Sequence, residues 1–186
     1  MAYQVVLLDA CVLYPAPLRD FLMRLSTEGV LQPRWTEIIL EEWVRNLLKA
    51  RPDLSEKRLN RTRSLMLAYR PDALVTNFEF LIPSLTLPDP DDRHVLAAAI
   101  HGGCEAIVTF NLRDFPSATL AIHQLVAIHP DEFILGCLRE HSSQIVTALR
   151  KQHRSLTSPP VSLNQLMDTL ERCSLTQTIR QLRKLI

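Results

Sequence analysis

The sequence predicts an α/β fold with a central parallel sheet, followed by a helical extension. Short, apolar, β-branched segments, which are typical of buried strands, alternate with segments whose apolar residues recur at helical spacing. Such alternation predicts a parallel sheet with helices packed on its faces. The chain has 186 residues, of which 47% are hydrophobic, and this is enough for one compact core. We therefore expect a domain over residues 1–138 and a small helical extension over residues 139–186.

The first thirty residues predict one strand and one helix. Tyr3 to Leu8 (YQVVLL) is almost wholly apolar, as a central strand should be. Asp9 follows this strand directly and is therefore expected at the carboxyl edge of the sheet. Pro15 and Pro17 are expected to open the helix, and Gly29 to end it.

Two more helices are predicted before residue 71. Thr36 is the expected N-cap of the first, whose apolar stripe holds Ile39, Leu40, Trp43, Leu47 and Leu48. Ser55 is the expected N-cap of the second, which Pro71 ends. The exposed face of this second helix would carry Lys57, Arg58, Arg61 and Arg63. Residues 72–88 are expected to be irregular.

A helix between two strands is predicted next. Asp89 is the expected N-cap, with Pro90 in the first helical position, and a pair of glycines after residue 101 ends the helix. Ala106 to Phe110 (AIVTF) is expected to be a buried strand, and Gln124 to Ile128 a third strand.

The extension is predicted to be helical. A helix is expected to start at Pro130, and the segment beyond residue 142 continues the helical pattern with one proline interruption. Two capping boxes of the form Ser-x-x-Gln are expected to start helices, one formed by Ser162 with Gln165 and the other by Ser174 with Gln177.

Composition excludes several classes of protein. No apolar run approaches the roughly 20 residues that a membrane-spanning helix needs. The N-terminal segment lacks a basic region and a cleavage site, so no signal peptide is expected. Four cysteines are scattered without a CxxC spacing, which argues against a zinc site and against a secreted disulfide framework. The expected location is the reducing cytoplasm.

The net charge of +1 conceals four blocks of alternating sign. Residues 1–44 carry −3 and residues 71–138 carry −7, whereas residues 45–70 carry +6 and residues 139–186 carry +5. Such asymmetry indicates that acidic groups and basic groups are gathered for different purposes.

Four acidic or carboxamide residues follow or border the predicted elements: Asp9, Glu42, Asp92 and Asn111. Carboxylates brought close together repel one another, so a site that gathers them without Lys or Arg needs a cation. Oxygen ligands alone favour a hard ion such as Mg²⁺ or Mn²⁺. The predicted chemistry is metal-assisted hydrolysis of a phosphodiester.

Four motifs in this order resemble those of PIN-domain ribonucleases, a family that includes the VapC-type toxins. The motifs are LLDACVLYP, EEWVRNLL, DPDDRHVLAAAI and IVTFNLRDFP, and the resemblance covers roughly residues 3–135. It implies a three-layer α/β/α domain, Mg²⁺ or Mn²⁺, and cleavage of RNA. It also implies an antitoxin protein as partner, as in a type II toxin–antitoxin pair, and a homodimer. The helices beyond about residue 140 lie outside the common core and indicate a subgroup with a C-terminal extension.

The resemblance assigns the metal ligands position by position. Asp9 matches the first acid of the family. Glu42 matches the second better than Glu41, because Glu42 directly precedes the Trp-Val-Arg-Asn-Leu pattern. Asp92 matches the third. We expect these residues and Asn111 to form the catalytic site.

The fourth position departs from the most common family residue, which is Asp. Asn111 keeps an oxygen ligand but lacks a charge, so metal affinity could fall, and Asp114 is expected to compensate in part. Either residue could instead form an Asx-turn. Thr109 is expected either to orient Asn111 or to bind a phosphate of the substrate, and a plain β-branched strand residue is the alternative.

Arg45, Arg58 and Arg61 in the basic block are the expected contacts to RNA phosphates. The alternative is an ordinary solvated helix face. The basic tail of the extension has the same two interpretations and a third, a surface for a protein partner.

Three other reactive side chains are interpreted as structural. His94 and His101 lie on one predicted helix, but no third ligand has fitting spacing for zinc. Cys11 has no histidine placed to activate it. Two further functions remain open: an RNA- or protein-binding module with a degenerate metal site, and an aspartyl-nucleophile phosphatase, which would need Asp at the position of Cys11.

Overall fold

A computed structural model describes residues 4–186 as one sheet flanked by helices. Its strands are β1 (Val5–Leu8), β2 (Gln32–Arg34), β3 (Ala106–Val108) and β4 (Val126–Ile128). Its helices are α1 (Ala10–Leu13), α2 (Ala16–Thr27), α3 (Glu37–Ala50), α4 (Glu56–Tyr69), α5 (Arg93–His101), α6 (Ser117–Ala121), α7 (Pro130–Ser155), α8 (Leu163–Arg172) and α9 (Thr176–Leu185).

The sheet is parallel throughout, with strand order β2-β1-β3-β4. The two central strands are the most buried, and Leu7 pairs with Ile107 in register. Both side chains are fully buried, as expected for strands covered on both faces. The predicted α/β class with a parallel sheet is confirmed. Tyr3, which was included in the first strand, lies outside the described residues.

Strand β2 was not predicted, because its sequence, Gln-Pro-Arg, has no strand pattern. Pro33 has no backbone N–H and therefore cannot donate the hydrogen bond that a residue in an interior strand would make to a neighbouring strand. It is tolerated because β2 pairs only with β1 and forms an edge of the sheet. The second edge, β4, is shorter than the predicted segment from Gln124 to Ile128.

The helices of the first half begin and end largely as predicted. The Thr36 hydroxyl accepts the backbone N–H of Ile39 at 3.1 Å and thereby caps α3. Ser55 precedes α4 but makes no capping bond with its side chain. In the predicted basic face of α4, Arg63 is not free, because its guanidinium pairs with Glu37 and Glu41 of α3.

Two 3₁₀ turns adjust the predicted boundaries near the strand ends. A turn over Pro90–Asp92 precedes α5, and Asp89 caps this turn by accepting the N–H of Asp91 at 2.9 Å. Strand β3 ends at Val108, so Thr109 and Phe110 lie just beyond it. A second turn, Leu112–Asp114, follows.

Helix α7 runs through the predicted boundary between residues 138 and 139, with a kink at His141. The division into domain and extension therefore stays a prediction. The capping box of Ser162 and Gln165 is confirmed at the start of α8. In the range 4–186, no helix is both long and apolar enough to cross a membrane.

The second capping box, of Ser174 with Gln177, was predicted wrongly. Ser174 has a φ of +69°, which turns it away from the capping conformation. The carboxylate of Asp131 instead accepts the N–H groups of Gln177 and Thr178, each at 2.8 Å. A residue 46 positions earlier in the chain thus caps α9.

Candidate active site

One cavity of about 480 Å³ brings together Asp9, Glu42, Asp92 and Asn111. It lies at the carboxyl edge of the sheet, because β1 and β3 are parallel neighbours and Asp9 and Asn111 follow their ends. The other lining residues are Ala10, Cys11, Tyr14, Pro15, Trp43, Asn46 and Phe110. Within the described part of the chain, no Lys or Arg lines the cavity.

Asp9 is held by three hydrogen bonds at the base of this cavity. It is 6% exposed, and its Oδ1 accepts the backbone N–H of Ala10 at 2.6 Å as the N-cap of α1. Its Oδ2 accepts the hydroxyl of Thr109 at 2.7 Å and the thiol of Cys11 at 3.2 Å. Burial, reinforced by the charge of Asp9, raises the pKa of Cys11 to about 12. The thiol therefore stays protonated and donates to Asp9, in agreement with the structural interpretation of Cys11.

Thr109 connects the two strand ends. Its hydroxyl donates to Asp9 and accepts the backbone N–H of Asn111 at 2.9 Å. The side chain is fully buried, so it offers no surface to a phosphate. The geometry favours the first of the two roles expected for Thr109, orientation of Asn111, over contact with a phosphate.

Asp92 carries the clearest electrostatic signature of the site. Burial raises its pKa to about 6, with further increases from the charges of Asp9, Asp114 and Asp89. The charge of His94 acts in the opposite direction. Asp92 immediately precedes α5, yet its side chain makes no capping bond. Its carboxylate is therefore not used for helix capping, and more negative than positive groups act on it.

Glu42 lines the cavity, whereas the neighbouring Glu41 does not. The Oε1 atom of Glu42 lies 3.4 Å from Nε2 of His94 and 3.7 Å from Nη2 of Arg45. Glu41 pairs with Arg63 at 3.3 Å on the side of α3 that faces α4. The choice of Glu42 over Glu41 agrees with this geometry.

Asn111 is exposed and precedes the turn over Leu112–Asp114. That turn is closed by the backbone, because the N–H of Asp114 donates to the carbonyl of Asn111 at 3.1 Å. The Asn111 side chain makes no capping bond, so the Asx-turn alternative is not realised there. Asp114 does not line the cavity, but its charge acts on Asp92.

The donor set fits a hard divalent cation that keeps most of its water. Asp9, Glu42, Asp92 and Asn111 supply only oxygen atoms, and the mutual repulsion recorded in the pKa of Asp92 favours a cation. Among residues 4–186, no three His, Cys, Asp or Glu side chains converge closely enough to hold an ion alone. Mg²⁺ commonly binds proteins through only one or two carboxylates and retains several waters.

The cavity includes polar residues that the sequence interpretation missed. Asn46 lies four residues after Glu42 on α3, so helical spacing alone could have indicated it. Tyr14 and Phe110 add aromatic walls. Of the expected RNA contacts, Arg45 lies beside Glu42, whereas Arg58 and Arg61 are exposed on α4 and do not line the cavity.

A larger cavity, of about 610 Å³, lies between α2 and the helices α7 and α8. Its two carboxylates, Asp20 and Asp168, are each paired with an arginine. The size of a cavity therefore does not identify the chemical centre. We place the candidate site in the smaller cavity because Asp9 and Asp92 cluster there without an arginine partner among the described residues.

Comparisons with known proteins match two parts of the chain. Residues 5–113 match the family described as PIN domain, and residues 130–184 match the family described as VapC50 C-terminal domain. The chain is also similar to the protein named putative ribonuclease VapC50 of Mycobacterium tuberculosis, with 35% identity over 103 residues. This match covers 54% of the chain and 61% of the relative. No solved structure matches.

Proposed function

The chain belongs to the PIN-domain family, and on that premise we propose that it is a metal-dependent endoribonuclease that hydrolyses RNA phosphodiester bonds. The observation that carries the proposal is the gathering of three carboxylates and two carboxamides, one of them Asn111, around a cavity that no described Lys or Arg lines. The name of the relative, putative ribonuclease, supports RNA as the substrate class.

Asp9, Glu42, Asp92 and Asn111 are the proposed ligands of Mg²⁺ or Mn²⁺, with Asp114 contributing charge. When bound, such a cation lowers the pKa of an attacking water and neutralises charge that develops on the phosphate. Asp9 would contribute a carboxylate whose orientation is already set by Thr109 and Cys11. Little reorganisation is then required of it during the reaction.

Asn111 distinguishes this site from one with four acids. Its amide oxygen can serve as a ligand but carries no charge, so the remaining attraction for the cation rests on the carboxylates. The negative charge of Asp114, which already acts on Asp92, would make up part of the difference.

Arg45, Arg58 and Arg61 are the proposed contacts to the RNA backbone. All three side chains are exposed. Arg45 lies on α3, the helix that presents Glu42, and Arg58 and Arg61 lie on α4, which packs against α3. Contacts between arginine and phosphate release counterions, so RNA binding should weaken as salt rises.

We further propose that the protein is the toxin of a type II toxin–antitoxin pair, acting in the cytoplasm. The similarity to VapC50 supports an antitoxin protein as partner, and a homodimer is proposed on the same ground. The four cysteines are free thiols, as a reducing compartment would leave them. Growth arrest on expression, abolished by Asp9→Asn, would test this role.

The direct test of the ribonuclease activity is cleavage of a structured RNA with Mg²⁺ or Mn²⁺. We expect cleavage by the wild type and no detectable cleavage by Asp9→Asn or Asp92→Asn. Asp91→Asn is the matched control, because Asp91 neighbours Asp92 but is exposed and does not line the cavity. Equal cleavage by all four proteins would contradict the assigned site.

A binding module with a degenerate metal site is the second candidate function. The uncharged Asn111 favours it, as does the lack of three convergent ligands within the described residues. Calorimetry separates the two candidates: RNA binding without any Mn²⁺ binding would favour the module.

A further inference from the structure

His94 lies beside the acidic cavity, and neither the fold nor the proposed function has given it a role. It occupies the second position of α5, two residues after Asp92, and is 8% exposed. Within residues 4–186, neither of its ring nitrogens makes a hydrogen bond. Buried polar groups are normally paired, so a histidine retained only for packing would be unusual here.

The nearest partner for the ring is the Glu42 carboxylate of α3. The distance from Nε2 to Oε1 is 3.4 Å, slightly longer than the usual N–H···O range of about 2.7–3.2 Å. The same Oε1 is approached by Nη2 of Arg45 at 3.7 Å. Among the residues that the structure describes, the shortest approach of each donor is to Oε1, and Oε2 accepts no hydrogen bond. Both donors therefore lie nearest to the same oxygen of the carboxylate.

The two donors differ in how firmly they can hold Glu42. The Arg45 side chain is 68% exposed, so its attraction is weakened by water and salt. The His94 side chain is only 9% exposed and projects from a helix whose next residues, Val95 and Leu96, are fully buried. The position of the imidazole is thus set by the core.

A zinc site does not explain the buried ring. The second histidine of the helix, His101, is exposed and packs edge-on against Phe80, with ring centroids 5.7 Å apart. A zinc site would need His94 to converge with at least two other metal-binding side chains. The part of the chain that the structure describes holds no such group of three.

We propose that His94 is a positioning residue whose Nε2–H holds Oε1 of Glu42, which keeps Oε2 free to act as a metal ligand. The proposal rests on the proposed function, because Glu42 is a ligand only in that account. Groups that orient metal ligands commonly change metal affinity when they are replaced.

Three substitutions of His94 distinguish the effect of losing the N–H donor from the effect of changing the shape of the side chain. In His94→Gln the side-chain amide can replace Nε2–H, whereas in His94→Asn it reaches only the place of Nδ1. His94→Met fills the space without a donor. In calorimetry with Mn²⁺ and no RNA, we expect the Met and Asn variants to raise the Kd about tenfold. The Gln variant should stay within about twofold of the wild type.

A double-mutant cycle tests whether the effect passes through Glu42. In a Glu42→Leu background, His94→Met should add less than about twofold to the Mn²⁺ Kd, because the partner is already absent. Equal Kd values for the Gln and Asn variants, or an undiminished effect of His94→Met in that background, would overturn the proposal. If His94→Met does not fold, the comparison of Gln with Asn decides.

A spectroscopic readout is independent of both metal and RNA. In the metal-free wild type, ¹⁵N NMR of the imidazole should find a proton on Nε2 of His94, and Glu42→Leu should shift this signal. A bare Nε2 in the wild type would overturn the proposal. If the proton is present and the Gln–Asn difference holds but no RNA is cleaved, the ribonuclease proposal fails while the positioning role stands.

Discussion

Asp92 and Asp131 both stand at the start of a helix, but their surroundings differ. Asp131 is 7% exposed and accepts the N–H groups of Gln177 and Thr178, so it joins the start of α7 to the start of α9. Asp92 makes no capping bond, and burial and neighbouring carboxylates raise its pKa to about 6. One carboxylate is fully paired, and the other is surrounded by like charge.

This difference separates a residue that stabilises the fold from one to which we assign a chemical role. A buried carboxylate with two N–H donors supports the native state, because its charge is compensated in place. A cluster of carboxylates without a compensating cation costs stability, because like charges repel, and such conflicts are expected at functional sites. Asp131 therefore joins α9 of the extension to the start of α7, whereas the cavity carboxylates leave negative charge that the proposed cation would compensate.

The largest effect is expected from Asp9, which lies at the base of the cavity. We expect Asp9→Asn to lower the single-turnover rate of RNA cleavage at least about 100-fold, because a charged oxygen ligand becomes neutral. Asp131→Asn should leave the rate near that of the wild type, since Asp131 is not a cavity residue. Similar losses in both variants would erase the distinction between the two regions.

The opposite pattern is expected for stability. Asp131→Ala should lower the free energy of unfolding by about 2 kcal/mol, because two N–H groups of α9 lose their acceptor. The control is Glu132→Ala, since Glu132 is the exposed neighbour in the first turn of α7. Urea unfolding would measure both variants. An Asp131→Ala protein as stable as the control would show that the cap contributes nothing.

The same comparison explains how far sequence could predict this molecule. The buried strands end at Leu8, directly before Asp9, and at Val108, three residues before Asn111. Because parallel strands share one carboxyl edge, the meeting of Asp9 and Asn111 was predictable from pattern alone. The role of Asp131 was not predictable. The sequence offered Ser174 as a local cap for α9, and no spacing rule identifies a cap that comes from a distant residue such as Asp131. The burial of Thr109 likewise became clear only from the packing.

Substitution of Asp92 is expected to change stability by a smaller amount than Asp131→Ala and in the opposite direction. In metal-free buffer, Asp92→Asn should raise the melting temperature by a few degrees, because it removes a carboxylate whose charged form is disfavoured. The raised pKa means that wild-type Asp92 favours the folded state at low pH, and that this contribution is lost as pH rises through about 6.

The increase in melting temperature from Asp92→Asn should therefore be complete above pH about 6. It should shrink as the pH falls toward 3.8, the ordinary pKa of an Asp side chain. Thermal unfolding at several pH values with a chelator present would measure it. Asp91→Asn serves as the control and should change little. A loss of stability in Asp92→Asn at neutral pH would contradict the account of a repulsive cluster.

The smallest effect is expected from the basic surface. Replacing Arg58 and Arg61 together with alanine should weaken RNA binding a few-fold and lower the slope of log K against log salt by about one per lost phosphate contact. Replacing the exposed Arg150 and Arg154 of the extension is the matched control. Fluorescence anisotropy at several salt concentrations would compare them, and equal slopes for both pairs would argue against a specific RNA surface on α4.

The most direct test of the central claim is to locate Mn²⁺ by its paramagnetic broadening of backbone amide signals at sub-stoichiometric metal. The account predicts broadening centred on the amides next to Asp9, Asp92 and Asn111, while those of Gln177 and Thr178 stay sharp because Asp131 is already paired. Broadening centred elsewhere, or none at concentrations that saturate related metal sites, would contradict a cation site in the acidic cavity.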